Sequence, residues 1–201
     1  MEFRPVKIEI EAKVRVDAVE PVQQRLEELD ARFVARMLET NIFVDSDQRR
    51  LMTADRGLRI REVRCDDGQT RITITYKGPR LHRRLKSRRE IELSIDSVEA
   101  GLALFGELGY HEVIRFEKQR QRYQLDGCTI ELDRVPHLGS FVEIEGPDDR
   151  TVEQVRERLG LGDRPLVSSS YVAMLRTYLQ EQAIAARDIR FEPEATPAKV
   201  R

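Results

Sequence analysis

The stretch KIEIEAKVRV, residues 7–16, decides the fold. Ile8, Ile10, Ala12, Val14 and Val16 alternate with Lys7, Glu9, Glu11, Lys13 and Arg15. A side-chain period of two belongs to a β-strand with one apolar and one ionic face. On an ordinary surface strand the ionic face meets water. Whether this one does depends on the rest of the chain.

The same alternation returns along the sequence. Further strands are expected at about 40–45, 57–64, 70–77, 89–95, 112–123, 127–134 and 140–146, with turn signals at DDG (66–68), KGP (77–79) and DG (126–127). Arg59 and Arg61 stand opposite Leu58 and Ile60, and Thr73, Thr75 and Lys77 opposite Ile72, Ile74 and Tyr76. Glu90 and Glu92 oppose Ile91 and Leu93, Glu131 and Asp133 oppose Ile130 and Leu132, and Glu143 and Glu145 oppose Val142 and Ile144. Lys118, Arg120 and Arg122 share one side of their strand. The fragments EIEAK (9–13), EIEL (90–93) and VEIEG (142–146) echo one another, too briefly to establish a repeat.

Helical patterns interrupt the strands. Val22, Leu26, Leu29 and Phe33 fall on one helical stripe behind Asp17, Glu20 and Pro21. Ser97 is placed to cap a second helix carrying Val98, Leu102, Phe105 and Leu108, which Gly109 ends. TVEQ (151–154) has capping-box spacing and opens a third through Val155 and Leu159; a fourth, from about Ser169, carries Tyr171, Leu175 and Tyr178 as core positions.

Eight antiparallel strands are about the number that closes a small barrel. Amphipathic helices need an apolar surface to cover. If they cover the Ile/Leu/Val face from outside, the ionic rows become the interior. The expected fold class is therefore α+β, a closed eight-stranded antiparallel β-barrel with helices packed outside. It occupies residues 1–186, and residues 187–201, polar and bearing Pro193 and Pro197, form a flexible C-terminal tail.

An ion in a protein interior loses several kcal/mol of hydration unless it is paired or bound to metal. Salt bridges alone could cancel these rows, but an apolar filling would usually be at least as stable. Keeping so many ions points to a wet tunnel for a strongly ionic ligand. Arg offers forked contacts and Lys a mobile point charge to phosphate. Carboxylates two residues apart suit a hard divalent cation. Metal plus polyphosphate satisfies both sets.

Composition narrows the classes. With 35 Lys+Arg against 36 Asp+Glu the net charge is -1, without the basic excess of a general nucleic-acid binder. The chain shows no apolar run long enough to span a membrane and no signal-peptide core, so a cytoplasmic location is expected, with no membrane partner. Cys65 and Cys128 are isolated and read as free thiols. His82, His111 and His137 lack metal-ligand spacing. The basic run RLHRRLKSRRE (80–90) reads either as a solvated hairpin loop or as a lid that draws anions to the tunnel.

This constellation resembles the CYTH superfamily, the triphosphate tunnel metalloenzymes. Glu9, Glu11 and Lys13 match its E-x-E-x-K signature. The match runs on through GLRIR (57–61), TYKGP (75–79), REIE (89–92), EKQRQRY (117–123), IELDRV (130–135) and LGSFVEIEG (138–146). It covers most of residues 6–180 and looks nearest to the class IV adenylyl cyclase and thiamine-triphosphatase-like branch.

The resemblance implies an enzyme acting on a small triphosphate (ATP, tripolyphosphate or thiamine triphosphate) with Mg2+ or Mn2+. Glu9, Glu11, Glu143, Glu145 and Asp133 would serve the metal, Asp133 and Glu92 alternatively orienting a basic neighbour. Lys13, Arg59, Arg61, Lys77, Lys118 and Arg120 would grip the phosphates. Glu11 and Lys13 would be catalytic, Lys13 either as general base or as phosphate ligand. Glu90, Glu92, Arg122 and Glu131 have secondary roles. Three functions stay open: a class IV-type cyclase making cyclic AMP and pyrophosphate, a triphosphatase, and a non-catalytic sensor of polyphosphate or nucleotide. A homodimer is also left open.

Overall fold

The computed structural model describes residues 7–81 and 85–192. In chain order the elements are β1 (Lys7–Val16), α1 (Glu20–Glu28), β2 (Arg32–Asp45), α2 (Arg50–Thr53), β3 (Gly57–Cys65), β4 (Thr70–Arg80) and β5 (Lys86–Ile95). There follow α3 (Val98–Glu107), β6 (His111–Leu125), β7 (Cys128–Val135), β8 (Gly139–Gly146), α4 (Asp149–Arg158), α5 (Tyr171–Glu181) and β9 (Asp188–Ile189). Eight strands lie in the order β2-β3-β4-β5-β1-β8-β7-β6, and β2 also pairs with β6. The sheet is thus a closed antiparallel barrel, as the alternation implied.

Apolar rows face outward and helices cover them. Ile10, Ala12, Val14 and Val16 of β1 pack with Ile130, Leu132, Val142 and Ile144 under Val22 and Leu26 of α1 and Val152 and Val155 of α4. On another side, Ile42, Val44 and Ile60 meet Phe105 of α3, with Ile72, Ile74 and Leu102 around them. Each such side chain, fully buried, contributes about 1.5–3 kcal/mol.

The last helix packs differently. Phe116 lies two residues before Lys118, Phe141 two before Glu143, and Val135 two after Asp133, so alternation turns all three inward. They pack with Tyr171, Leu175 and Leu179 of α5. α5 therefore stoppers one end of the barrel instead of covering its wall.

Several boundaries differ from the sequence reading. Phe33 is not on the first helix. α1 ends at Glu28, Asp30 adopts φ 55, and Arg32 starts β2, which pairs with β6 all the way to Asp45. Phe33 is exposed there, edge-on to Tyr123 at 5.3 Å. The cap of α4 is Asp148, whose Oδ1 accepts from the Thr151 amide at 2.8 Å, so Thr151 lies inside the helix and the 151–154 box is not used. Ser97 does cap α3, accepting from the Ala100 amide at 3.1 Å, and Gly109 follows it at φ +78. α2 had no signal in the periodicity; its amides at Leu51 and Met52 are capped by the Asp45 carboxylate at 3.0 Å.

Part of the segment expected as a flexible tail is docked. Asp188–Ile189 pairs in parallel with Arg115–Phe116, Ile189 is buried in the α5 cluster, and the Phe191 amide donates to Glu117 at 3.0 Å. In the basic run, Arg80 ends β4 and Lys86 opens β5, so both flanks are strand; Arg80 and Arg88 bind the Asp55 carboxylate. His82 lies outside the described residues. Among the described residues no helix is long and apolar enough to cross a membrane.

Candidate active site

The inward rows converge on one cavity of about 1150 Å3. Its wall takes Glu9, Glu11 and Lys13 from β1, Arg59 and Arg61 from β3, Lys77 from β4, and Glu90 and Glu92 from β5. Lys118, Arg120 and Arg122 from β6, Glu131 from β7, and Glu143 and Glu145 from β8 complete the predicted set. Among the described residues no histidine lines the cavity, and His137 instead stacks on Tyr178 at 5.0 Å.

Asp133 is the one predicted site residue behind the wall. It is fully buried, and its carboxylate accepts from Arg120 Nε and Nη2 at 2.6 Å each, Lys118 Nζ at 3.2 Å and the Tyr171 hydroxyl at 2.8 Å. Its oxygens are committed to orienting neighbours. These contacts match the alternative expected for it, the orientation of basic neighbours.

Around Asp133 the charges form a dense network. Arg120 also reaches Glu143 at 2.6 Å, Glu39 at 3.6 Å, and Glu131. Burial works against its charge, but Asp133, Glu131 and Glu39 raise its pKa well above the ordinary value. Lys118 lies between Glu39 and Asp133, 3.2 Å from each, and burial and then Arg120 lower its pKa. Arg122 binds Glu131 at 2.7 Å.

Glu39 lies one residue ahead of the strand expected over 40–45, whereas β2 begins at Arg32 and includes it. It is fully buried; burial would raise its pKa, yet Arg120, Arg61 and Lys118 hold it well below the carboxylate range. Arg61 stands 3.2 Å from it and donates through Nε to Asn41 at 2.9 Å. The signal was present: Glu39 and Asn41 continue the period-two row, and Glu39 pairs in register with Lys118.

Lys13 is held on several sides. Its Nζ lies 3.1 Å from Glu143 and 3.9 Å from Glu11, donates to the Ser169 carbonyl at 3.2 Å, and sits 4.0 Å from the Tyr171 ring centre. Tyr171, read from sequence as core, is core and cavity wall together. Burial first, then Asp133 and Glu143, push its phenol well above its ordinary pKa, so it serves as a neutral donor. Burial would also raise Glu143, but Lys13, Lys118 and Arg120 hold it well below the carboxylate range.

The acidic residues beside β1 are held by lysines. Lys77 bonds Glu90 and lies 3.3 Å from Glu9, and Lys86 bonds Glu11. Glu11 and Glu145 are cross-strand partners, as are Lys13 and Glu143. An all-oxygen set on adjacent strands is what a hard divalent ion takes, so Glu9, Glu11 and Glu145 fit one in chemistry. In this arrangement no three such groups gather closely enough to share an ion among the described residues.

Arg59 stands apart. Of the buried Lys and Arg side chains, Lys13, Lys118, Arg120 and Arg156 each have a carboxylate within 4.0 Å. Arg59, only 7% exposed, has none among the described residues; it donates to Thr75 Oγ1 at 3.2 Å and its Nε lacks a partner. Burial, then Arg61, lowers its pKa to about 10.

The CYTH-domain profile matches residues 7–171. This chain belongs to the CYTH family. A Methanocaldococcus jannaschii relative, provisionally named an adenylate cyclase, is 30% identical over 176 residues, spanning 83% of this chain and 98% of its own. A solved Pyrococcus horikoshii structure superposes with a TM-score of 0.74 at 29% identity, covering 85% of this chain and 99% of that one. The fold extends to a Hippeastrum protein at 20% identity and TM-score 0.65, covering 85% of this chain and 95% of that one; its description is of a provisional adenylyl cyclase with a dominant triphosphatase activity.

Proposed function

We propose that this CYTH protein is a divalent-metal-dependent enzyme that takes a triphosphate into the barrel, and that it is a class IV-type adenylyl cyclase converting ATP to cyclic AMP and pyrophosphate. The observation that carries the reading is Arg59, a buried guanidinium with no carboxylate within 4.0 Å among the described residues, facing a cavity whose other buried cations each have one. Such a cation costs stability unless an anion joins it. A phosphate oxygen has the charge and the acceptor geometry for that place.

Glu9, Glu11 and Glu145 would hold Mg2+ or Mn2+. When bound, the ion would neutralise phosphate charge and polarise a phosphorus–oxygen bond. Arg59, Arg61 and Lys77 line the cavity as phosphate contacts. Lys118 and Arg120, saturated by Glu39, Asp133, Glu131 and Glu143, act chiefly by fixing those carboxylates and setting the field. Lys13 faces the cavity from a network that keeps it in place, which suits a phosphate ligand.

In the cyclase reaction the ribose 3′-oxygen bonds the α-phosphorus, the bond to the β-bridging oxygen breaks, and pyrophosphate leaves as the 3′-hydroxyl proton is lost. The same residues support a second reading, in which water bonds the terminal phosphorus, the bond to the β–γ bridging oxygen breaks, the diphosphate portion leaves, and the transferred phosphoryl group is released as orthophosphate. The activity named for the Hippeastrum relative is of that second kind.

Incubation with ATP, tripolyphosphate and thiamine triphosphate in Mg2+ or Mn2+, followed by 31P NMR, tests the assignment. Cyclic AMP with pyrophosphate is expected from ATP. Orthophosphate from any of the three moves the assignment to triphosphatase, and binding without turnover overturns both enzymatic readings.

A further inference from the structure

Glu11, a carboxylate assigned above to the metal, already holds a cation of the protein's own. Lys86 of β5 is the cross-strand partner of Glu11, and its Nζ donates to Glu11 Oε1 inside the same cavity. The register fixes this meeting, since both residues lie on the inward row of adjacent strands. Lys86 has only 15% of its side chain exposed. No step proposed above uses it.

Lys86 differs from the neighbouring Lys77. Lys77 bonds both Glu9 and Glu90, so it keeps a carboxylate if Glu9 turns to another ion. Among the described residues the ion pair of Lys86 is with Glu11 alone. Two cations cannot share that carboxylate closely: a divalent ion needs an oxygen within about 2.0–2.6 Å, and the ammonium would then face it across one carboxyl group. A lysine is suited to yielding, because its charge sits at the end of a flexible four-carbon stem.

We propose that Lys86 is an exchangeable counter-ion: it neutralises Glu11 while metal is absent, is displaced when a divalent cation binds Glu11, and then places its ammonium on the incoming triphosphate. This rests on the metal-dependent reading of the site. The exchange makes metal and triphosphate bind cooperatively, since the metal releases a phosphate ligand and the triphosphate gives the displaced lysine a partner. By linkage each ligand strengthens the other by the same factor.

The test is Mn2+ binding to the metal-free full chain without triphosphate, followed by the EPR signal of the free ion. Lys86→Met is expected to bind Mn2+ at least about tenfold more tightly than the natural protein, because the competing charge is gone. Lys86→Gln should behave likewise and serves if the first variant folds poorly, while Lys86→Arg should stay near the natural affinity. With Mn2+ present, calorimetric binding of a non-hydrolysable ATP analogue should weaken several-fold in Lys86→Met. Equal Mn2+ affinity in the natural protein and both neutral variants overturns the exchange and leaves the metal-dependent reading standing. Failure of every form to bind Mn2+, even with the analogue present, overturns the metal-dependent reading and this proposal with it.

Discussion

Arg59 concentrates the conflict between stability and function in a single side chain. Its pKa falls well below the ordinary arginine value, to about 10, because burial, and then Arg61, disfavour the charge. A folded-state pKa below the unfolded one means the charged form is penalised in the native state, on the order of 3 kcal/mol at neutral pH. That penalty is complete below pH 10 or so and is relieved only above it. Arg59→Met should therefore stabilise the ligand-free protein by about 1–3 kcal/mol in urea unfolding, since replacing a buried ion by an apolar group of similar size is often favourable. The same variant should bind tripolyphosphate about 10–100-fold more weakly by calorimetry, the worth of a charged hydrogen bond. A variant less stable than the natural protein would mean the guanidinium is already satisfied. That Arg59 points inward was legible from Leu58 and Ile60 beside it. That no carboxylate among the described residues comes within 4.0 Å of it was not, because Glu39 could as well have closed on it, and only the register of β2 brings Glu39 into contact with Arg61, Lys118 and Arg120 instead.

Elements succeed or fail here by how they meet the closed sheet. Gly146 ends β8 just before α4, and a Cβ there would lie 2.7 Å from Val152 Cγ2 and 2.8 Å from Cys128 Sγ. Gly146→Ala should cost about 1–3 kcal/mol in thermal or urea unfolding, the usual penalty of overpacking. An unchanged midpoint would show that α4 can shift outward freely. The barrel itself was legible because a period of two survives closure: every strand row read as ionic sends side chains to the cavity wall, with Asp133 buried just behind it and Arg15, at the end of β1, exposed instead. Helix placement was less legible. The stripe read as Tyr171, Leu175 and Tyr178, with Leu179 rather than Tyr178 the buried third position in the structure, is the same whether a helix covers the wall or stoppers the end; what decides is that Phe116 and Phe141 continue the inward rows as apolar residues. The spacing of Val22, Leu26, Leu29 and Phe33 misled for a related reason. Three positions define a helical stripe, the fourth matched by chance, and the left-handed Asp30 that breaks the helix has no period to betray it.

At the scale of the whole molecule, the interior is held together by charge, so its stability must answer to acid. Glu39 and Glu143 have folded-state pKa values well below 4.5: burial opposes their ionisation, but Arg120, Arg61 and Lys118 around Glu39, and Lys13, Lys118 and Arg120 around Glu143, prevail. A carboxylate with a depressed folded pKa contributes stability that is fully present above its unfolded value near 4.5 and is lost as pH falls through the lower folded one. The urea midpoint should accordingly be flat from about pH 8 to 6 and decline below about pH 4.5. Glu39→Gln isolates one share of that decline, because Glu39 touches three cations and is not among the carboxylates assigned to metal. Leaving those cations short of a partner should cost about 3–5 kcal/mol at pH 7. As the pH falls through the range where Glu39 would protonate, the natural protein loses the same charge, so the two unfolding curves should converge. A gap between them that stays constant from pH 7 to pH 3 would mean that Glu39 acts through packing and hydrogen-bond shape, and that the barrel's buried ions do not stabilise it through their charge.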